Sequence, residues 1–128
     1  MTVPTFRKRE RIVSQKLIET LFSGERSHSL AAFPLRVVYM KRERQQGDEP
    51  VQILVSVSKR RFKHAVDRNR VKRQLREAYR HHKQVLHDAV SEKEQLLLAF
   101  VWLSDHHYTS SEVEQRIVSL LQRTAEKL

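Results

Sequence analysis

The chain has 128 residues and no cysteine, with 39% hydrophobic and 31% charged side chains, a formal net charge of +10 and a pI near 10.4. Disulfides and thiolate zinc sites are thereby excluded, and the longest apolar run, "LLLAFVWL", is too short to cross a bilayer. The expectation is a soluble, cytoplasmic protein without a membrane partner, one domain over 1–128 with a flexible basic tail over 1–10.

In chain order, a first helix is expected over 14–23. Ser14 can cap it, Leu17, Ile18, Leu21 and Phe22 form an i, i+1, i+4, i+5 stripe, and Gly24 stops it. Residues 33–42, "FPLRVVYMKR", and 51–58, "VQILVSVS", read as strands, the second alternating Val51, Ile53, Val55 and Val57 with polar positions. The polar "RERQQGDEP" between them reads as a hairpin loop. A long helix is expected over 65–87 and a short buried strand over 96–103. A closing helix starts near Thr109, where "TSSE" offers a capping box to Glu112, and buries Val113, Ile117, Leu120 and Leu121. This order predicts an α+β sandwich, one sheet with helices packed on it.

The charge is local. Residues 59–83 hold eleven Lys or Arg against two acids, Asp67 and Glu77, whereas 84–128 hold four against seven. A basic segment beside an acidic remainder points to a polyanionic partner. On a helical wheel centred on Val71, the residues Leu75, Ala78, His82, Val85 and Leu86 fall within about 60° and form an apolar seam. Asn69, Lys72, Arg73, Arg76, Arg80 and Lys83 fall between roughly 100° and 200° and form a cationic face beside it. Like charges so spaced repel by roughly 0.2–0.5 kcal/mol per pair. Planar arginine forks suit bidentate phosphate contacts, so nucleic acid is the expected partner and no small-molecule substrate is.

The stretch "VSVSKRRFKHAVDRNRVKRQLREAYR" resembles the signature of the bacterial ribonuclease P protein subunit, centred on Arg68, Asn69 and Arg70. The "SVSK" strand end before it, and the "LLLAFVWL" strand and closing helix after it, follow the family order. The resemblance implies a single-domain αβββαβα sandwich with a left-handed βαβ crossover, against the usual hand. It also implies a short further strand near 25–30, in "ERSHSL". In the family the RNA subunit is the catalyst. It holds the Mg²⁺ ions and removes the 5′ leader of precursor tRNA, so no cofactor is expected on the protein itself.

Carried over by position, Arg68, Asn69, Arg70, Lys72, Arg73 and Arg76, with Arg80 on the same helix face, are expected to meet the catalytic RNA. A cleft between the first helix and the sheet is expected to take the single-stranded leader, lined by Ile18, Phe22, Phe33, Arg36, Lys59 and Arg60. Ile18 is a departure, because many members have a second aromatic there; Arg36 stands near the position of a cleft tyrosine. The loop "KRRFKHAVD" lacks the glycine of the commoner, shorter version.

Seven histidines raise the question of nuclease chemistry in the protein itself. His81 and His82 diverge on a helix, and His82 is expected to pack in the core. "DHHY" at 105–108 reads as a polar turn, without the further carboxylates that a two-metal nuclease needs. Asp67 and Glu77 read as a helix cap and as charge relief. Phe6, Phe33, Tyr39 and Phe62 could stack bases, but Tyr39 and Trp102 are expected in the core and Phe62, between Arg61 and Lys63, on the surface; Phe33 is left open. A structural RNA-binding protein, such as a ribosomal one, is the alternative that shares the basic helix without the cleft. A protein-only ribonuclease is the other.

Overall fold

The computed structural model describes residues 6–128; residues 1–5, the outer part of the expected N-terminal tail, lie outside the described residues. Helix α1 (Gln15–Ser23) begins where the Ser14 hydroxyl accepts the Leu17 N–H at 3.3 Å, satisfying a donor left open at a helix start. It ends at Gly24, at φ 82°, a left-handed conformation that costs glycine no Cβ clash. Strands β1 (His28–Ala32), β2 (Leu35–Glu43) and β3 (Val51–Ser56) follow, then helices α2 (Ala65–His82) and α3 (Gln84–Ala89), strand β4 (Glu94–Trp102) and helix α4 (Ser110–Lys127). Thr109 and Glu112 close the capping box of α4 as expected, with hydrogen bonds of 3.1 and 3.3 Å. The order is the αβββαβα of the expected α+β sandwich, with α3 inserted.

The sheet order is β1-β2-β4-β3. The loop before β3 is therefore not a hairpin loop, as the sequence reading has it. β4 lies between β2, to which it is antiparallel, and β3, to which it is parallel. The reason lies in β4: Gln95 to Phe100 are all buried, so this strand needs cover on both faces and neighbours on both edges. The crossover from β3 to β4 runs through α2 and α3. The loop is closed instead by its own groups, Asp48 accepting the Gln45 N–H at 2.9 Å and Gly47 turning at φ 87°.

Two apolar layers sandwich the sheet. Leu35, Val37 and Tyr39 of β2, with alternate residues of β3 and β4 that include Trp102, meet Val71, Leu75 and Tyr79 of α2 and Ile117 and Leu121 of α4. Val38, Met40, Leu97 and Ala99 point the other way and meet Leu21 of α1, with Leu17 and Ile18 packed against them. Period-two alternation along β2 is what assigns these residues to opposite layers.

The expected helix over 65–87 is two helices. α2 ends at His82 and α3 begins at Gln84, with Lys83 between them at φ −62° and ψ −22°; Leu86 is buried, as expected, while Val85 is exposed. The joint is anchored by Lys83, whose Nζ donates to Glu10 Oε1 at 2.7 Å. Glu10 is itself buried in a 3₁₀ turn, Lys8–Glu10, and its second oxygen accepts the Arg7 N–H at 2.7 Å. Two residues on, the Ile12 N–H donates to Ile53 O at 2.9 Å, and Arg11 bridges Ile53 in parallel at the outer edge of β3. The N-terminal segment thus covers part of a strand edge that would otherwise be open.

Candidate nucleic-acid interface

Helix α2 turns Val71, Leu75, Ala78 and Tyr79 to the core and leaves Asn69, Arg70 and Arg73 exposed, with Lys72 and Arg76 half-buried beside them. The wheel is right in kind and wrong at its far end. His82 is not a core residue: it is half-exposed, and its Nε2 sits 3.0 Å from Glu114 Oε1 of α4. Tyr79, at about 80° on the same wheel and just outside the expected seam, is fully buried instead.

Not every cation of the face is equally open. Arg80 is hydrogen-bonded to Glu77, one turn back, and His81 Nε2 lies 3.2 Å from the same carboxylate oxygen. The bond from Arg80, ahead of smaller effects of Arg80 and His81 charge, holds the Glu77 carboxyl below its ordinary range. Glu77 is the charge relief that the sequence suggests, and Arg80 is its principal partner. Arg76 is a weaker base than a free guanidinium, first through partial burial and then through the nearby charge of Arg11. Arg11 lies over the Phe6 ring at 5.2 Å, and Phe6 meets Tyr79 edge-on at 5.8 Å. Together Phe6, Arg11, Val13 and Arg76 border a notch of about 140 Å³ beside β3.

Arg11 is therefore a part of the cationic face that sequence reasoning missed, and Phe6 is the ring it lies over. The charge density of "RKRER" is plain, but only the buried Glu10 and the Ile12–Ile53 bond, both long-range, bring it beside α2.

Arg68 differs from its neighbours in the Arg-Asn-Arg run. Its Nη1 donates to Phe62 O at 3.0 Å and to Lys63 O at 2.9 Å, so the guanidinium is turned back on the loop before the helix. Lys59 and Arg60 stand exposed at the tip of that loop, which closes where the Arg61 and Phe62 N–H groups donate to Ser58 O at 3.1 and 3.3 Å. Phe62 is buried, contrary to the expectation from its charged neighbours: its ring stacks on His107 at 4.5 Å and 17°. His107 Nε2 in turn lies 3.0 Å from Asp67 Oδ1. Among the described residues no three His, Asp or Glu side chains gather as metal ligands.

On the other face of the sheet, Ile18 packs over the second core, and Phe22, one turn along α1, keeps 43% of its surface exposed. Arg36 is exposed and shares its face of β2 with Val38 and Met40 by alternation. It lies opposite Val101, which lies opposite Ser56, so one row across the sheet leads from Arg36 to the loop of Lys59 and Arg60. Phe33 stands apart. It forms the β1–β2 turn with Pro34, the residue is 61% exposed, and its carbonyl accepts from Arg116 Nε at 3.0 Å, on the helix that packs against the opposite face.

The matching family model is described as Ribonuclease P and covers residues 6–125. The ribonuclease P protein component of Porphyromonas gingivalis is 41% identical over 128 residues, which cover 95% of this chain and 89% of that protein. That of Chlorobium phaeobacteroides is 41% identical over 87 residues, 66% of this chain and 58% of the relative. Two solved structures share the fold at 20% identity. The RNase P protein from Thermotoga maritima aligns with a TM-score of 0.66 over 89% of this chain and 96% of that one. The Staphylococcus aureus RNase P protein aligns with a TM-score of 0.67 over 90% and 94%.

Proposed function

The chain belongs to the ribonuclease P protein family, and from that membership we propose that it is a single-domain, non-catalytic subunit that binds the catalytic RNA of ribonuclease P and the 5′ leader of precursor tRNA. The observation that carries this reading is the exposed cationic side of α2, where Asn69, Arg70 and Arg73 stand free of the core beside Lys72 and Arg76. Guanidinium groups so placed can take phosphate oxygens pairwise and set the protein's register on RNA. Arg80, shared with Glu77, joins them at the margin of this surface.

The leader takes the opposite layer. Ile18 and Phe22 of α1, Arg36 of β2, and Lys59 and Arg60 at the loop supply an apolar surface edged with positive charge. That combination suits a single strand, whose bases stack while its backbone is neutralised. Phe33, set apart in the β1–β2 turn beside Arg116 of α4, is left out of the proposed groove. The chemistry is then the RNA's: its Mg²⁺ ions activate water, and the protein's residues bind and orient. Such work is done in the cytoplasm, where tRNA is matured, and none of the described helices is long and apolar enough to cross a membrane.

Reconstitution tests the reading. The protein alone is expected to leave precursor tRNA intact at any Mg²⁺ concentration. Added to a bacterial ribonuclease P RNA at low Mg²⁺, it is expected to restore removal of the leader. Cleavage by the protein without RNA, or no effect on the RNA's activity, overturns the proposal.

A further inference from the structure

Arg68 opens the Arg-Asn-Arg run, yet its geometry is unlike that of Arg70 or Arg73. Both hydrogens of its Nη1 are engaged by the carbonyls of Phe62 and Lys63, at 3.0 and 2.9 Å. Those carbonyls belong to the strand of chain that leads into α2. The N-cap residue of α2, His64, makes no side-chain capping bond, so the joint between loop and helix is not held in the usual way. A cation in the first turn of a helix also opposes the helix dipole. Its position there is accounted for by the carbonyls it gathers, with Asp67 beside it in sequence.

The loop is restrained from its other side as well. Phe62 is stacked on His107, His107 is bonded to Asp67, and Arg61 Nη1 lies 3.4 Å from Asp105 Oδ1. Three cations, Lys59, Arg60 and Lys63, remain exposed on the segment so held. A loop fixed before binding loses less conformational entropy when it meets its partner.

We propose that Arg68 is a positioning residue: it presets the 58–64 loop so that Lys59, Arg60 and Lys63 meet RNA phosphates, and does not itself act as a phosphate ligand. The proposal rests on the RNA-interface reading above. It divides the Arg-Asn-Arg run into one residue that shapes the surface and two that belong to it.

A double-mutant cycle tests this. Affinity for the RNA subunit is measured for the wild type, for Arg68→Ala, for the triple variant Lys59→Ala, Arg60→Ala, Lys63→Ala, and for all four changes together. If Arg68 acts through the loop, its loss weakens binding about tenfold in the wild-type background and less than about twofold in the triple variant. Equal losses in both backgrounds overturn the proposal.

His107→Ala, which removes the ring stacked on Phe62 together with its contact to Asp67 but changes no residue of α2, is a second route should Arg68→Ala fold poorly; it too must lose its effect in the triple variant. Hydrogen exchange of the Arg61 and Phe62 amides in the free protein gives a readout without RNA. It should quicken in Arg68→Ala and stay unchanged in Arg70→Ala, and an unchanged rate in Arg68→Ala also overturns the proposal. Should neither the triple variant nor Arg70→Ala alter affinity, the interface reading itself falls and takes this proposal with it. That result is distinct from simple additivity.

Discussion

Truncating Phe22 to alanine separates a leader-binding role from a packing role, because the structure sets different magnitudes for the two. A fully buried phenylalanine costs about 3–5 kcal/mol when cut to alanine. Phe22 keeps 43% of its surface in water and stands outside both buried clusters, so its loss should cost about 2 kcal/mol, scaled by the surface it covers. For a chain of this size that is a Tm drop of about 6–8 °C, against about 10–18 °C for a core residue. If the exposed ring stacks on a leader base, its removal also forfeits about 1–3 kcal/mol of binding, a five- to hundredfold weakening. The assay is holoenzyme affinity for precursor and for mature tRNA, with thermal melting of the free variant. Phe22→Ala should weaken precursor binding by that factor, leave mature tRNA binding nearly unchanged, and melt within the smaller range. Equal losses for both tRNAs, or a melting shift of the core size, would refute the leader role.

Arg70→Ala and Arg73→Ala should each flatten the dependence of log affinity on log salt by up to about 0.9, whereas Asn69→Ala should weaken binding with little change in slope; a wild-type slope in both arginine variants would remove α2 from the interface. Glu10→Ala breaks a buried ion pair and should lower Tm by about 10 °C, while Glu10→Met combined with Lys83→Met should recover most of the loss; melting within about 2 °C of wild type would show that the N-terminal segment is not anchored there. Burial, and then the Lys83 charge, hold His87 below the ordinary imidazole value, so unfolding takes up a proton as pH falls below about 6.5. The stability tied to a neutral His87 is present above that pH and lost as pH falls through its folded value. His87→Leu should therefore flatten the decline in Tm between about pH 7.5 and 5, and an unaltered decline would contradict this.

Much of the fold is legible because local chemistry suffices for it. Ser14, Gly24, Thr109 and Glu112 mark helix ends by hydrogen bonds that reach three residues or fewer or by one backbone conformation. The alternation in β3 and the unbroken apolar run of β4 each reflect how many faces a strand must bury. Strand pairing is different. "RERQQGDEP" has the polarity and the glycine of a hairpin, and nothing within it says that β4, fifty residues on, will separate its flanking strands. That outcome is decided by where an all-apolar strand finds cover.

The interface shows the same division more sharply, because charge density identifies a surface without identifying the task of each charge. Along α2 the wheel sorts core from solvent, but it treats Arg68, Arg73 and Arg80 as equals. The structure gives them three distinct situations: bonded to two loop carbonyls, exposed, and shared with Glu77. Phe62 follows the same logic. Its charged neighbours argue for exposure, yet the ring is buried and stacked on His107, and so anchors the loop that carries Lys59 and Arg60. A basic segment dense enough to bind RNA repels itself. The residues that offset this repulsion, Glu77 on the helix and the carbonyls gathered by Arg68 at its start, are what turn a run of positive charge into a surface with one shape.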